Sequence, residues 1–119
     1  MQTKKNRLKR YLETGTRNNA ESKDAMEILI GQPLSIANVI KAHRQSENWS
    51  QQHLAGKLKV SKQAISRFEN GELIPSLETA AKIAKVFGVD EETFIELTLE
   101  QLVKKAGLSY RISLEKKAG

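Results

Sequence analysis

Ser50-Gln-Gln-His-Leu-Ala-Gly-Lys-Leu-Lys-Val-Ser-Lys-Gln-Ala-Ile-Ser-Arg-Phe-Glu-Asn-Gly71 is the stretch whose reading decides the fold. Ser50 is placed to cap a helix whose apolar stripe is Leu54, Ala55 and Leu58, with Gln51 and Gln52 in its first turn. Ser61 is placed to cap a second helix over Lys62 to Asn70, where Ala64, Ile65 and Phe68 face inward and Gly71 supplies the stop. Between them lies Lys59-Val60-Ser61, a connection too short for anything but a tight turn. The stretch therefore predicts two short helices meeting at a sharp corner, which is a helix-turn-helix.

Working outward, the helical period continues on both sides. Ser35 caps a predicted helix with Ile36, Val39, Ile40 and His43 on one face, ending near Asn48. Ser76 caps Leu77 to Phe87, whose apolar face is Leu77, Ala80, Ala81, Ile83, Ala84 and Phe87 and whose stop is Gly88. Asp90 caps a fifth helix that runs through Phe94, Ile95, Leu97, Leu99, Leu102 and Val103 to Gly107. The class is all-α. At 119 residues the chain suits one compact domain with short appendages, and 39% hydrophobic against 5% aromatic residues predicts a core of Leu, Ile, Val and Ala.

The flanks read differently. Residues 1–21 hold five basic residues in the first ten and little core-forming pattern, which predicts a flexible basic arm. Over residues 22–34, Ala25, Met26, Ile28, Leu29 and Ile30 follow Ser22 and precede Gly31 and Pro33, so a short helix is expected, with an extended segment as the alternative. Residues 35–97 form the expected helix-turn-helix domain, and residues 98–119 a helix extension followed by a strand. That strand is read from Leu108, Tyr110, Ile112 and Leu114 alternating with Ser109, Arg111 and Ser113. A lone strand cannot satisfy its own backbone, so it is expected to pair across a two-fold axis with a second copy, making these four residues a dimerisation element. An alternative partner is the Met26 to Ile30 segment, if extended.

Charge is segregated. The net charge is +6; from Lys41 to Arg67 there are six basic residues against one acidic, and from Phe68 to Leu97 two basic against seven acidic. One half of the domain is fit for phosphates and the other to face away from them. Cysteine is absent, which excludes disulfides and thiolate metal sites and points to a reducing cytoplasm. No run approaches the length of a membrane span, and the first residues are charged where a signal peptide needs apolar ones. His43 and His53, the only histidines, have no partners at metal or nucleophile spacing, and Glu91 and Glu92 have none either, so neither catalysis, a cofactor nor a metal is expected. His43 reads as semi-buried packing and Trp49 as packing at the end of the first helix.

The segment from Trp49 to Gly71, followed by Pro75-Ser-Leu-Glu-Thr79 and Lys82-Ile-Ala-Lys-Val-Phe-Gly-Val89, resembles the Xre/Cro/cI family of helix-turn-helix regulators, a lambda-repressor-like domain of five helices. The likeness covers about residues 35–97. It implies that the helix from Lys62 enters the major groove of double-stranded DNA with Lys62, Gln63, Ser66 and Arg67 as base-reading positions. Their chemistry suits the role: Arg67 can fork onto guanine O6 and N7, and Gln63 can pair with adenine N6 and N7. The resemblance also makes Gln51 a phosphate anchor at a helix start, helped by Gln52, Ser61 and Asn70. Lys57 and Lys59 read as peripheral phosphate contacts. Arg44 and Glu69 fall where the family ties its first helix to the end of the reading helix with an ion pair.

Together these readings predict a cytoplasmic, nucleoid-associated transcriptional regulator, a repressor acting as a homodimer on a palindromic operator. The alternative is an antitoxin that controls its own operon and also binds a toxin protein, with residues 1–30 as the candidate partner-binding appendage. A third class is an adaptor that does not need DNA.

Overall fold

A computed structural model of the chain describes residues 34–117, and the basic arm, the segment before Leu34 and the last two residues lie outside it. Five helices follow in order: α1 (Ile36–Ser46), α2 (Gln51–Leu58), α3 (Lys62–Glu69), α4 (Leu77–Phe87) and α5 (Glu91–Lys105). Each begins at a residue suited to capping. The hydroxyls of Ser35, Ser50, Ser61 and Ser76 accept from the amides of Asn38, His53, Ala64 and Thr79, and the Asp90 carboxylate accepts from Glu92 N. Such caps satisfy amides that the helix cannot, each worth about 1 kcal/mol.

The core is built mainly from aliphatic side chains, as the composition predicts. Val39, Ile40, Leu54, Ile65, Ile83 and Phe94 are all fully enclosed, and Phe87 stands between His43 and Phe94, with ring centroids 4.3 and 6.4 Å away. His43 is fully buried rather than half-buried, because the Phe87 ring closes over it. Trp49 stacks on Phe87 at 5.6 Å.

Two expected apolar positions lie outside the core. Leu77 is 43% exposed and Leu102 45%. On α4 the buried arc is Ala80, Ile83, Ala84 and Phe87, and Leu77 falls on its flank at the first turn. On α5 the buried set is Phe94, Glu96, Leu97 and Thr98, so a polar face is covered where the pattern predicted an exposed one. Thr98 resolves its burial by donating from its hydroxyl to Phe94 O at 2.7 Å.

The tail explains Glu96 and corrects the strand expectation. Among the described residues no strand forms, and residues 108–117 carry no regular structure. Instead the amides of Ile112 and Leu114 donate to Glu100 Oε2 at 2.6 Å and Glu96 Oε2 at 2.7 Å. The geometry of the two chain forms makes this possible. Four residues of helix rise about 6 Å, close to the span of two residues of extended chain, so alternate amides of a tail running back along α5 meet carboxylates one turn apart. The period-two pattern encodes a tail laid on a helix. Ile112 and Leu114 are half-buried, whereas Leu108 and Tyr110 are exposed at 53% and 70%, so the four do not form one strand face and pairing across a dimer through them is not supported.

The reading helix is tied to α1 by a charged cluster. Arg44 Nε donates to Glu69 Oε2 at 2.7 Å and Nη2 to Oε1 at 3.0 Å, a two-pronged fork, while Nη1 donates to Trp49 O at 2.7 Å. Gln51 Nε2 adds a donation to Glu69 Oε1 at 3.1 Å. The side chains of Arg44 and Glu69 are 12% and 1% exposed, so solvent screens the pair little. A buried pair of this kind adds little net stability over an apolar replacement, but stranding one partner costs about 3–5 kcal/mol. Glu69→Ala is therefore expected to lower the free energy of unfolding in urea by about 3–5 kcal/mol, and the double replacement Arg44→Met/Glu69→Leu to lose less than that single change. Circular dichroism through the urea transition measures both.

Candidate nucleic-acid interface

The corner between α2 and α3 is made by backbone. Lys59 caps α2 in the left-handed region, φ 58 and ψ 43, and the Val60 amide donates back to Ala55 O at 3.0 Å. That turns the chain within three residues and delivers Ser61 as the cap of α3. Ala55, 3% exposed, is small enough to sit within the core cluster beside this corner.

With Ile65, Phe68 and Glu69 buried, the opposite side of α3 faces outward. Lys62, Gln63 and Arg67 are exposed there and Ser66 is half-buried, so the four expected base-reading residues occupy one face of one helix. That face carries hydrogen-bond donors, acceptors and two positive charges, the equipment needed for base edges in a major groove. Arg67 Nε lies 3.9 Å from Glu72 Oε2, with both side chains more than half exposed, an ion pair that solvent weakens and that yields readily to another acceptor.

The helix starts at the corner favour anions, unlike those of α4 and α5. Neither α2 nor α3 has an acidic residue in its first turn, whereas α4 carries Glu78 there and α5 carries Glu91 and Glu92. The partial positive charge of the α2 and α3 starts is thus left for a ligand, while that of α4 and α5 is met internally. Gln51 is half-buried at the α2 start, with one amide hydrogen directed at Glu69; its second side-chain hydrogen and the backbone amides of Gln51 and Gln52 remain for a phosphate, that of His53 being capped by Ser50. Gln52, Ser61 and Asn70 are exposed, with Ser61 and Asn70 flanking α3 as its N-cap and C-cap.

Lys57 and Lys59 have other company than expected. The Lys57 ammonium lies 5.1 Å from the Trp49 ring centroid, and both lysines border a hollow of about 250 Å³ shared with Lys82 and Lys85 of α4. The sequence reading missed Lys82 and Lys85. Their spacing on one helix was visible, but nothing in linear order places α4 beside the end of α2. Among the described residues, no group of three or more histidines, cysteines or carboxylates could hold a metal ion, and no helix is long and apolar enough to cross a membrane.

Comparison with known proteins agrees with this geometry. The sequence profile of the helix-turn-helix family HTH_3 matches residues 40–94. An uncharacterized HTH-type transcriptional regulator of Methanocaldococcus jannaschii is 49% identical over 59 residues, 49% of this chain and 89% of that protein. The antitoxin HipB of Escherichia coli is 41% identical over 51 residues, 43% of this chain and 54% of HipB. An endothelial differentiation-related factor 1 homolog of Gallus gallus is 35% identical over 57 residues, 48% of this chain and 38% of that protein. The chain thus spans about half or less of the last two relatives. No solved structure matches at comparable significance. With a profile match across the corner, an outward-facing α3 and a relative matched over nearly its whole length, the chain belongs to the Xre-type helix-turn-helix family of DNA-binding transcriptional regulators.

Proposed function

We propose that this protein is a sequence-specific repressor that reads double-stranded DNA through α3 and acts as a dimer on a palindromic site, without catalysis or a cofactor. The observation that carries the reading is the outward face of α3, where Lys62, Gln63, Ser66 and Arg67 stand together opposite the buried Ile65, Phe68 and Glu69. Arg67 and Gln63 read bases, Ser66 and Lys62 complete the face, and Gln51, Gln52, Ser61 and Asn70 fix its register on the phosphates. A dimer is part of the proposal on grounds of information: four side chains on one short helix read only a few base pairs, and each mismatch costs about 1–3 kcal/mol, so two half-sites are needed to pick one site from a genome. Its interface is not assigned to the tail that lies on α5. Such a regulator works where the DNA is, in the cytoplasm and at the nucleoid.

The likeness to HipB, itself named an antitoxin, favours a second reading in which the same domain represses its own operon and a separate surface binds a toxin protein. A toxin-like reading frame beside the gene supports that reading; an isolated gene counts against it.

Footprinting on the protein's own upstream region is expected to show protection with two-fold symmetry, and log K is expected to fall linearly with log salt concentration at about 0.9 per phosphate neutralised. At the protected site Arg67→Ala is expected to cost about 1–3 kcal/mol and to relax discrimination at one base pair per half-site, whereas Gln51→Ala weakens specific and non-specific DNA alike. Fluorescence anisotropy on the site and on single-position variants measures the difference.

A further inference from the structure

The hollow between the end of α2 and the second half of α4 is unlike the rest of the surface. Lys57, Lys59, Lys82 and Lys85 surround it, and Leu58 and Val86 supply its apolar lining. All four lysines are exposed, and among the described residues none of them forms an ion pair, so four positive charges stand around one concavity that no described carboxylate neutralises. Like charges this close repel, which a protein sheds cheaply by placing a carboxylate among them. Among the described residues the relief comes from the Trp49 ring, 5.1 Å from the Lys57 ammonium.

Lys59 carries a second signal. It holds a left-handed backbone conformation, φ 58 and ψ 43, that is strained for a residue with a Cβ and not for a glycine. The other left-handed positions past helix ends hold Asn48, a residue type that tolerates this region, and Gly71, Gly88 and Gly107, where no added Cβ would meet a neighbour and glycine serves the backbone alone. At Lys59 the strain is accepted and a lysine is kept at the rim.

We propose that this hollow is a docking site for an acidic segment of a partner protein, one that seats an apolar side chain on Leu58 and Val86 and sets carboxylates against the four lysines. Two observations favour a protein segment over the backbone of the bound DNA. No residue of α3 lines the hollow, and half its lysines come from α4, so it opens beside the reading face. Its shape is concave and Leu58 and Val86 lie between the lysines, which suits an apolar side chain inserted from a partner; a phosphate would use the lysines alone and leave that apolar surface uncovered. Lys57 and Lys59 thereby gain a different occupant from the DNA phosphates that the sequence predicts. The site goes beyond the DNA-reading proposal and does not depend on it.

The test uses the full chain and fluorescein-labelled synthetic peptides of about a dozen residues, in which one Leu or Phe is flanked by Glu and Asp, with matched controls carrying Ser for the apolar residue or Gln for the acids. The acidic-apolar peptide is expected to bind about tenfold more tightly than either control, and Lys82→Gln/Lys85→Gln to weaken it by about tenfold while leaving affinity for the footprinted DNA within about twofold. Lys59→Gly is expected to raise the thermal midpoint, by relieving strain, and to weaken the peptide. Equal binding of the Ser control, or peptide affinity unchanged by the α4 variants, would overturn the proposal. So would a loss of DNA affinity with a shallower salt dependence in those variants, which would make the lysines phosphate contacts instead. Absence of any footprint, with the peptide result intact, would sink the DNA reading alone.

Discussion

The fork between Arg44 and Glu69 is the constraint on which the arrangement depends. Glu69 is the last residue of α3, Arg44 lies near the end of α1, and Gln51 opens α2, so three helices meet at one carboxylate. Arg44 also holds the Trp49 carbonyl just before α2 begins. Apolar contacts are tolerant of small rotations, but a two-pronged hydrogen-bonded fork is directional. Four short helices with aliphatic side chains could pack at several angles; the buried fork selects one, and with it the direction in which α3 faces. Gln51 links the two tasks, because the amide that steadies Glu69 belongs to the residue proposed to grip phosphate.

A consistent division of charge surrounds this lock. The α2 and α3 starts carry no acids, and the exposed side chains near them are basic or neutral, whereas α4 and α5 begin with Glu78, Glu91 and Glu92. The acidic half is also put to structural use, since Glu96 and Glu100 hold the tail amides on α5. Most carboxylates that would repel a phosphate backbone thus sit on the far elements, with Glu69 buried in its ion pair and Glu72 left exposed beside Arg67. Lys82 and Lys85 break the rule, two cations on an otherwise acidic stretch, and they stand at the hollow shared with α2.

Most of the helical frame was legible because its signals are local. Each serine or aspartate cap precedes its helix by one residue, and the apolar stripe of each helix repeats within a few turns. The outward face of α3 follows from the inward positions of Ile65 and Phe68. The tail was misread because period two states only that alternate residues face opposite ways; it does not say whether the covering surface is a strand or, as here, a helix whose carboxylates sit one turn apart. Burial of Glu96 was invisible for the same reason, since the cover comes from Leu114, far along the chain. Leu77 was placed inside from its neighbours' pattern, yet the buried arc of α4 is narrower than the apolar content of that helix. The lysine hollow needs tertiary contact between α2 and α4 to exist at all.

The central claim is that α3, held by this lock, reads base sequence. Repeated selection of full-length protein on duplexes with a randomised central segment tests it most directly. The account predicts convergence on one short motif present as two inverted copies, with centres about one helical turn, or a multiple of it, apart. Recovery of duplexes with no shared motif, bound equally well and solely in proportion to their length, would contradict it.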